Sequence, residues 1–296
     1  MPEILCRAFI KEGFLIGIIT DSTCDIPEAL LDQYGIIVVP HMIIWGNEQY
    51  RDRIDLQPEE FYRRLAVDPQ RPTTSQAGIP EFQRAYEKAA KRGVNEIVVL
   101  TVSGALSGAY QAALLAAKRV KIPISVVDSK GPTMSLGWQV LAAARARDSG
   151  ADLGSILSCV DQVRAKLVQF ICMDTLEYLQ RGGRIGDAVK WVGGLLQVKP
   201  LISINHQTGL IEPVSLARTR RSVIEMMYNR FFGLLKDGKN LHIAVLHGDV
   251  REKAEELAQQ IRTEYNPIEL IINITGPALG IHSGPGAMAL CGYAED

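Results

Sequence analysis

The chain has 296 residues, 47% hydrophobic and 22% charged, a balance that supports one large or two ordinary domains with real cores and excludes disorder as the main state. Lys+Arg 32 against Asp+Glu 33 leaves a formal charge of −1, so no overall field favours nucleic acid or an anionic membrane, and any anion must be caught locally. Five widely spaced cysteines, Cys6, Cys24, Cys159, Cys172 and Cys291, form no C-x-x-C pair, which argues for the reduced thiols of a cytoplasmic protein over a disulfide framework or a zinc site; no apolar run reaches the ~18 residues of a membrane span.

Residues 1–14, MPEILCRAFIKEGF, lack a signal-peptide layout and precede the first convincing strand, so they read as a loose leader or an uncertain start. From there β-rich runs alternate with helical patterns. LIGIIT (15–20), GIIVVPHMII (35–44), EIVVLTV (96–102) and ISVVD (124–128) read as strands; PEFQRAYEKAAKRG (80–93) and the alanine-rich GAYQAALLAAKRV (108–120) read as helices between them. Such alternation predicts an α/β fold whose mainly parallel sheet carries helices on both faces. Helices around 134–149 and 153–167 lead to a second series of strands, VQFICM (168–173), LISI (201–204), LHIAVLH (241–247) and IELIINI (268–274), with helices near 218–236 and 250–264. Two α/β units are expected, over 15–165 and 166–296, with no Pro-, Gly- or Ser-rich linker between them.

In open α/β sheets ligands bind beyond the carboxyl ends of the strands, which directs attention to the loops there. TDSTCDIPEAL (20–30) offers Asp25 as a helix cap and more polar groups than one cap requires. RPTTSQAG (71–78) places three consecutive hydroxyls ahead of a helix that needs only one. In TVSGALSGAY (101–110), Ser107 stands just before the alanine-rich helix, where a hydroxyl and free N–H groups at the positive end of a dipole suit a carboxylate or phosphate as well as a simple cap. LEYLQRGGRIGDAVKWVGGLLQVKP (176–200) holds Arg181 and Arg184 on a glycine turn, Arg181 reading as a solvated turn residue, and ARTRR (217–221) sets cations at a helix start, where something anionic should lie nearby. Near the end, GIHSGPGAMAL (280–290) sets His282 among glycines and Pro285, a tight turn or a binding loop.

The usual nucleotide cradles are missing: no G-x-x-x-x-G-K-[ST] and no G-x-G-x-x-G follows the first strand. His41, His206, His242, His247 and His282 are scattered and there is no H-E-x-x-H, so neither metal nor cofactor is expected. A hydrolase built from Ser107, His282 and Asp128 stays open, although ALSGA lacks G-x-S-x-G.

ITDSTCDIP, TTSQ, LSGAYQAA, VVDSK, LEYLQRGGRIG, VKPLI and GIHSGPGA occur in an order that resembles the DegV family, over nearly the whole chain from about residue 15. That family is similar to the fatty acid-binding subunits of bacterial fatty acid kinase systems. The resemblance implies two α/β domains with one long-chain fatty acid between them, such as palmitate, stearate or oleate. It also implies a separate fatty acid kinase subunit as partner, which phosphorylates the acyl carboxylate using ATP. On this likeness the threonine of T-S-Q falls on Thr74, the serine of L-S-G on Ser107 and the histidine of the glycine-rich loop on His282, together the carboxylate-binding set. The arginine of G-G-R-I falls on Arg184, at the mouth of the site or facing the kinase. The chain departs from the family's habit at Ala77, Ala109 and Gly104, where proline, threonine and serine are frequent. MIIW (42–45) and WVGGLL (191–196) are candidate linings for an acyl tunnel or ordinary core. A tail of ~15 methylenes at ~0.8 kcal/mol each would dominate affinity and leave orientation to the polar set. The same fold likeness extends to the substrate domains of dihydroxyacetone kinases, so a small-carbonyl or phosphosugar binder is the second alternative.

Overall fold

The computed structural model describes residues 15–191, 198–235 and 238–295. The first half begins with β1 (Ile16–Asp21), a short 3-10 turn at Ser22–Cys24, α1 (Glu28–Gln33), β2 (Ile37–Val39), β3 (Met42–Trp45), β4 (Glu48–Arg51), α2 (Pro58–Val67) and β5 (Thr73–Ser75). It continues with α3 (Ile79–Lys91), β6 (Glu96–Thr101), α4 (Ala109–Ala117), β7 (Ile124–Asp128), α5 (Met134–Asp148) and α6 (Leu153–Lys166). Strands β2-β1-β6-β7 form a parallel sheet. All six residues of β1 are buried, the near-continuous apolar run expected of a parallel strand covered on both faces. The alanines of α4 that face the core, Ala109, Ala112, Ala113 and Ala116, let the helix pack closely. Pro sits in the first turn of α3 and Gly93 follows its end with φ +83°, the punctuation expected from the sequence.

GIIVVPHMII does not form one strand. Pro40 cannot donate to a ladder, and the chain breaks at Pro40-His41, giving β2 to the parallel sheet and β3 to a small antiparallel sheet, β4-β3-β5. The hydroxyl run at 73–75 is not a helix start either: it is β5, with Thr74 opposite Ile43, while α3 is preceded by Gly78 with no side-chain cap. MIIW belongs to ordinary core, where Ile43 and Trp45 pack with Leu56, Phe61, Tyr62 and Leu65.

The second half runs β8 (Val168–Cys172), α7 (Glu177–Arg181), a 3-10 turn at Gly186–Trp191, β9 (Lys199–Ile204), β10 (Ile211–Ala217) and α8 (Arg220–Leu235), then β11 (Lys239–His247), α9 (Arg251–Tyr265), β12 (Glu269–Ile274), α10 (Pro277–Ser283) and β13 (Met288–Glu295). Its six-stranded sheet, ordered β10-β9-β8-β13-β11-β12, is mixed, with only β11 and β12 parallel. Of WVGGLL, residues 192–196 lie outside the described residues.

Helix α5 joins the halves. Every residue from Met134 to Ala144 is buried, Ser135 and Gln139 with their side chains bonded to main-chain carbonyls, as befits a helix set between layers. One hydrophobic cluster runs from the first sheet through α5 to Ala244, Leu246, Ala289, Cys291 and Tyr293 of the second, and Trp138 Nε1 donates to the Cys291 carbonyl at 3.2 Å. The fold is therefore α/β, a parallel sheet flanked by helices plus a second sheet domain, with the carboxyl ends of β1 and β6 turned toward the second sheet across a cavity.

Candidate functional site

That cavity has a volume of about 360 Å³ and is bordered by Thr74, Ser107, Arg184 and His282, the four residues singled out from the sequence. One wall is apolar, made by Ile171, Met173, Leu179, Ile202, Ile204 and Ile211 from the second half. Its size and mixture of an apolar wall with a few polar groups are those of a small-molecule site.

Thr74 reaches the cavity because β5 adds to the edge of β3. Its hydroxyl lies 3.1 Å from His282 Nε2. His282 stands in the last turn of α10, so the glycine-rich run is a helix end rather than a free loop. Gly284, at φ +75°, stops the helix in a conformation that L-side chains rarely adopt and returns the chain to β13.

The other end of α10 is fixed by buried carboxylates of the first half. Asp25 Oδ1 accepts from Gly276 N–H at 3.0 Å and from Arg53 Nη2 at 2.6 Å, and Asp52 Oδ1 accepts from Ala278 N–H at 3.2 Å. Asp25 is thus not the cap of its own helix; it sits at φ +50° and ties α10 to the first half. Burial pushes its pKa up to about 6 against the opposing pull of Arg53.

His282 is pushed down to about 4, by burial first and then by the positive charges of Arg184 and His41. Its imidazole is neutral at pH 7, with one donor and one acceptor nitrogen. Nε2 is engaged with Thr74, while Nδ1 is buried with no hydrogen-bond partner among the described residues. The ring is held against the main chain of Gly182: a Cβ there would lie 2.1 Å from Nδ1. Gly182 was singled out only as part of the arginine turn; what it does is leave room for the imidazole.

Ser107 is half-buried, and its Oγ accepts from Ala109 N–H at 3.3 Å, which leaves the hydroxyl proton free for an acceptor in the cavity. It lies one residue before Gly108, the cap residue of α4, and borders the cavity. Arg184 is exposed; Nη1 donates to the Gly182 carbonyl at 2.7 Å and Nε to the Leu106 carbonyl at 3.2 Å, so the guanidinium spans the two halves at the edge of the cavity. Arg181 is exposed and pairs with Glu177. In ARTRR, Arg220 opens α8 and pairs with Asp174 at 2.9 Å, the anion that position required.

The proposed hydrolase set is not assembled. His282 Nε2 faces Thr74, Ser107 Oγ is turned to the start of α4, and the Asp128 carboxylate takes the N–H groups of Gly104 and Lys130 and the Lys130 ammonium at 2.8 Å. A triad needs the base between nucleophile and acid.

Sequence reasoning missed His41, which also lines the cavity. It was hidden in an apolar run, and the only local signal was the break at Pro40. Asp21, 3.6 Å from the ring, had been counted only as part of a polar loop; its carboxylate accepts from Thr23 N–H at 3.0 Å, Thr23 Oγ1 at 2.6 Å and Val102 N–H at 2.8 Å.

The first half and the second sheet border one cavity with an apolar wall and a polar corner, an arrangement that suits a small molecule with one apolar and one polar part. The sequence profile of the DegV family, described as uncharacterised proteins, matches residues 15–295, and the chain belongs to that family. It is 33% identical over 273 residues to a DegV domain-containing protein of Caldanaerobacter subterraneus, covering 92% of this chain and 96% of the relative. It is 29% identical over 278 residues to protein DegV of Bacillus subtilis, covering 93% and 98%. Among solved structures, the chain is similar to Bacillus subtilis DegV, described as a fatty acid binding protein, with TM-score 0.88, 28% identity, and coverage of 96% of this chain and 100% of that one. It is also similar to a DegV family protein of Thermus thermophilus studied for fatty acid binding, with TM-score 0.87, 28% identity, and coverage of 95% and 100%. No helix among the described residues is long and apolar enough to cross a membrane.

Proposed function

We propose that this chain binds one long-chain fatty acid, of the size of palmitate, stearate or oleate, and presents its carboxylate to a separate ATP-dependent kinase. In this reading the units 15–165 and 166–296 close on the acid from either side, and the chain is a carrier that performs no chemistry of its own. The observation that carries the reading is that Thr74, Ser107 and His282 border the same cavity as the apolar wall of Ile171, Ile202, Ile204 and Ile211. An amphiphile with one anionic end and one long apolar end satisfies both. The likeness to DegV proteins described as fatty acid-binding supports the same ligand class. On the partner, a carboxylate oxygen would attack the γ-phosphorus of ATP and ADP would leave, giving the acyl phosphate.

The roles divide. Thr74 and Ser107 donate hydroxyl protons to the carboxylate, neutral His282 holds Thr74 in place by donating its single Nε2–H to Thr74 Oγ1, and Arg184, whose guanidinium is at the rim, serves the hand-off. Because tail burial supplies most of the affinity, Arg184→Ala should keep its lipid yet lose most acyl phosphate formation with ATP and the partner kinase. Thr74→Ala with Ser107→Ala should weaken loading itself, by about 10-fold or more. If Arg184→Ala empties the protein while the double variant loads and is phosphorylated normally, the assignment is wrong.

A further inference from the structure

The cavity has a second imidazole in its wall. His41 follows Pro40 between β2 and β3, is 4% exposed, and borders the same space as Thr74 and His282. Its main chain is held from both sides: its N–H donates to Ser22 Oγ at 3.0 Å and its carbonyl accepts from Asp52 N–H at 2.9 Å. Ser22 in turn donates to Asp52 Oδ2 at 2.6 Å, so the main chain that carries the ring is fixed in place.

His41 Nε2 lies 3.6 Å from Asp21 Oδ1, which is ion-pairing range but too far for a hydrogen bond, and it has no hydrogen-bond partner among the described residues. Asp21 is fully buried, and its oxygens already accept three hydrogen bonds, two from Thr23 and one from Val102 N–H. Burial by itself would lower the pKa of His41, but the carboxylates of Asp21, first, and Asp52 outweigh it and raise the pKa. The result is a buried imidazole biased toward its charged form, with Nε2 turned to Asp21 and the ring bordering the cavity. A buried donor left without an acceptor costs about 1–3 kcal/mol, more when charged, and such a group calls for a partner. His282, being neutral, offers dipoles only, and the Arg184 guanidinium lies at the rim on two carbonyls.

We propose that His41 is a further contact for the ligand's anionic head group, a fixed cationic donor that makes the cavity select an ionised carboxylate over an uncharged lipid of the same length. The proposal rests on the fatty acid reading and goes beyond it by assigning the residue that discriminates acid from alcohol or ester. It also gives the Asp21 side chain a purpose: to hold the imidazole charged in a site that excludes water.

The test compares dissociation constants of the full chain for oleate and for oleyl alcohol, which share a tail and differ in head-group charge, at pH 7.5. The wild type should prefer oleate. His41→Leu should lose about 10-fold or more in oleate affinity with oleyl alcohol changed less than about 2-fold, because one charged hydrogen bond is removed and the tail is untouched. Since leucine there strands the Asp21 charge, Asp21→Asn/His41→Leu is scored alongside, and the same loss of preference is expected. A folded variant that keeps the wild-type ratio overturns the proposal, as does a wild type that binds acid and alcohol equally well. A wild type that binds neither overturns the fatty acid reading, and this assignment with it.

Discussion

Gly182→Ala perturbs the head-group corner through the seat of His282, while leaving every side chain assigned to the ligand chemically unchanged. Gly182 has φ −74° and ψ −8°, a conformation that alanine adopts freely, so the backbone is not strained. The added methyl would lie 2.1 Å from His282 Nδ1 and 2.7 Å from Cε1, so the imidazole must retreat by about 1 Å to restore van der Waals contact. The bond between Thr74 Oγ1 and His282 Nε2 is 3.1 Å and does not survive that movement as a hydrogen bond. Thr74, no longer held in place, then loses its bond to the carboxylate, and one hydrogen bond to a charged group is worth about 1.5–3 kcal/mol, or about 10- to 150-fold in affinity. The assay is a titration of oleate into wild type and Gly182→Ala, with thermal melts to show that both are folded. Gly233→Ala, in α8 with nothing within 4 Å of the added carbon, is the control and should leave oleate affinity unchanged. Wild-type affinity in folded Gly182→Ala would refute the idea that the position of His282 matters to the ligand.

Two further outcomes follow from the same geometry. Ala287 is 5% exposed and borders the cavity beside the apolar cluster, so Ala287→Phe should occupy tail space. Oleate affinity should fall at least about 10-fold, the worth of roughly two methylenes, while laurate binding is retained; equal losses for both acids would show that position 287 does not face the tail. The depressed pKa of His282, about 4 in the fold against 6.5 for the free group, means that the unfolded chain takes up the proton first as pH falls. Its contribution is therefore complete above about pH 6.5 and is lost as pH falls through 4, amounting to about 2 kcal/mol between pH 7.5 and 5. Urea unfolding of the ligand-free protein should show that difference shrinking in His282→Gln, and an unaltered pH slope in the variant would mean that His282 is not buried neutral.

How far the sequence could be read depended on whether each signal was local. Strands β1 and β6 of the parallel sheet were plain because they are buried on both faces and read as near-continuous apolar runs. Strand β13 was hidden: MALCGYAE follows a glycine-rich segment, and its place between β8 and β11 is set by pairing with residues far away in the chain. Asp25 was misread as a cap since its real partners, Arg53 and Gly276, are 28 and 251 residues away. Thr74, Ser107, Arg184 and His282 were found through the family likeness, and the cavity brings them together; spacing alone would have left Ser107 a cap and Thr74 part of a helix start. His41 carried no local sign, because a lone imidazole in an apolar run acquires meaning only when a buried carboxylate from another strand end lies against it.

The most direct test of the central claim is native mass spectrometry of the purified chain after incubation with palmitate and oleate. The fatty acid reading predicts one bound acid per chain, retained through aqueous handling because the apolar wall buries the tail. A chain that stays empty after both incubations would contradict it.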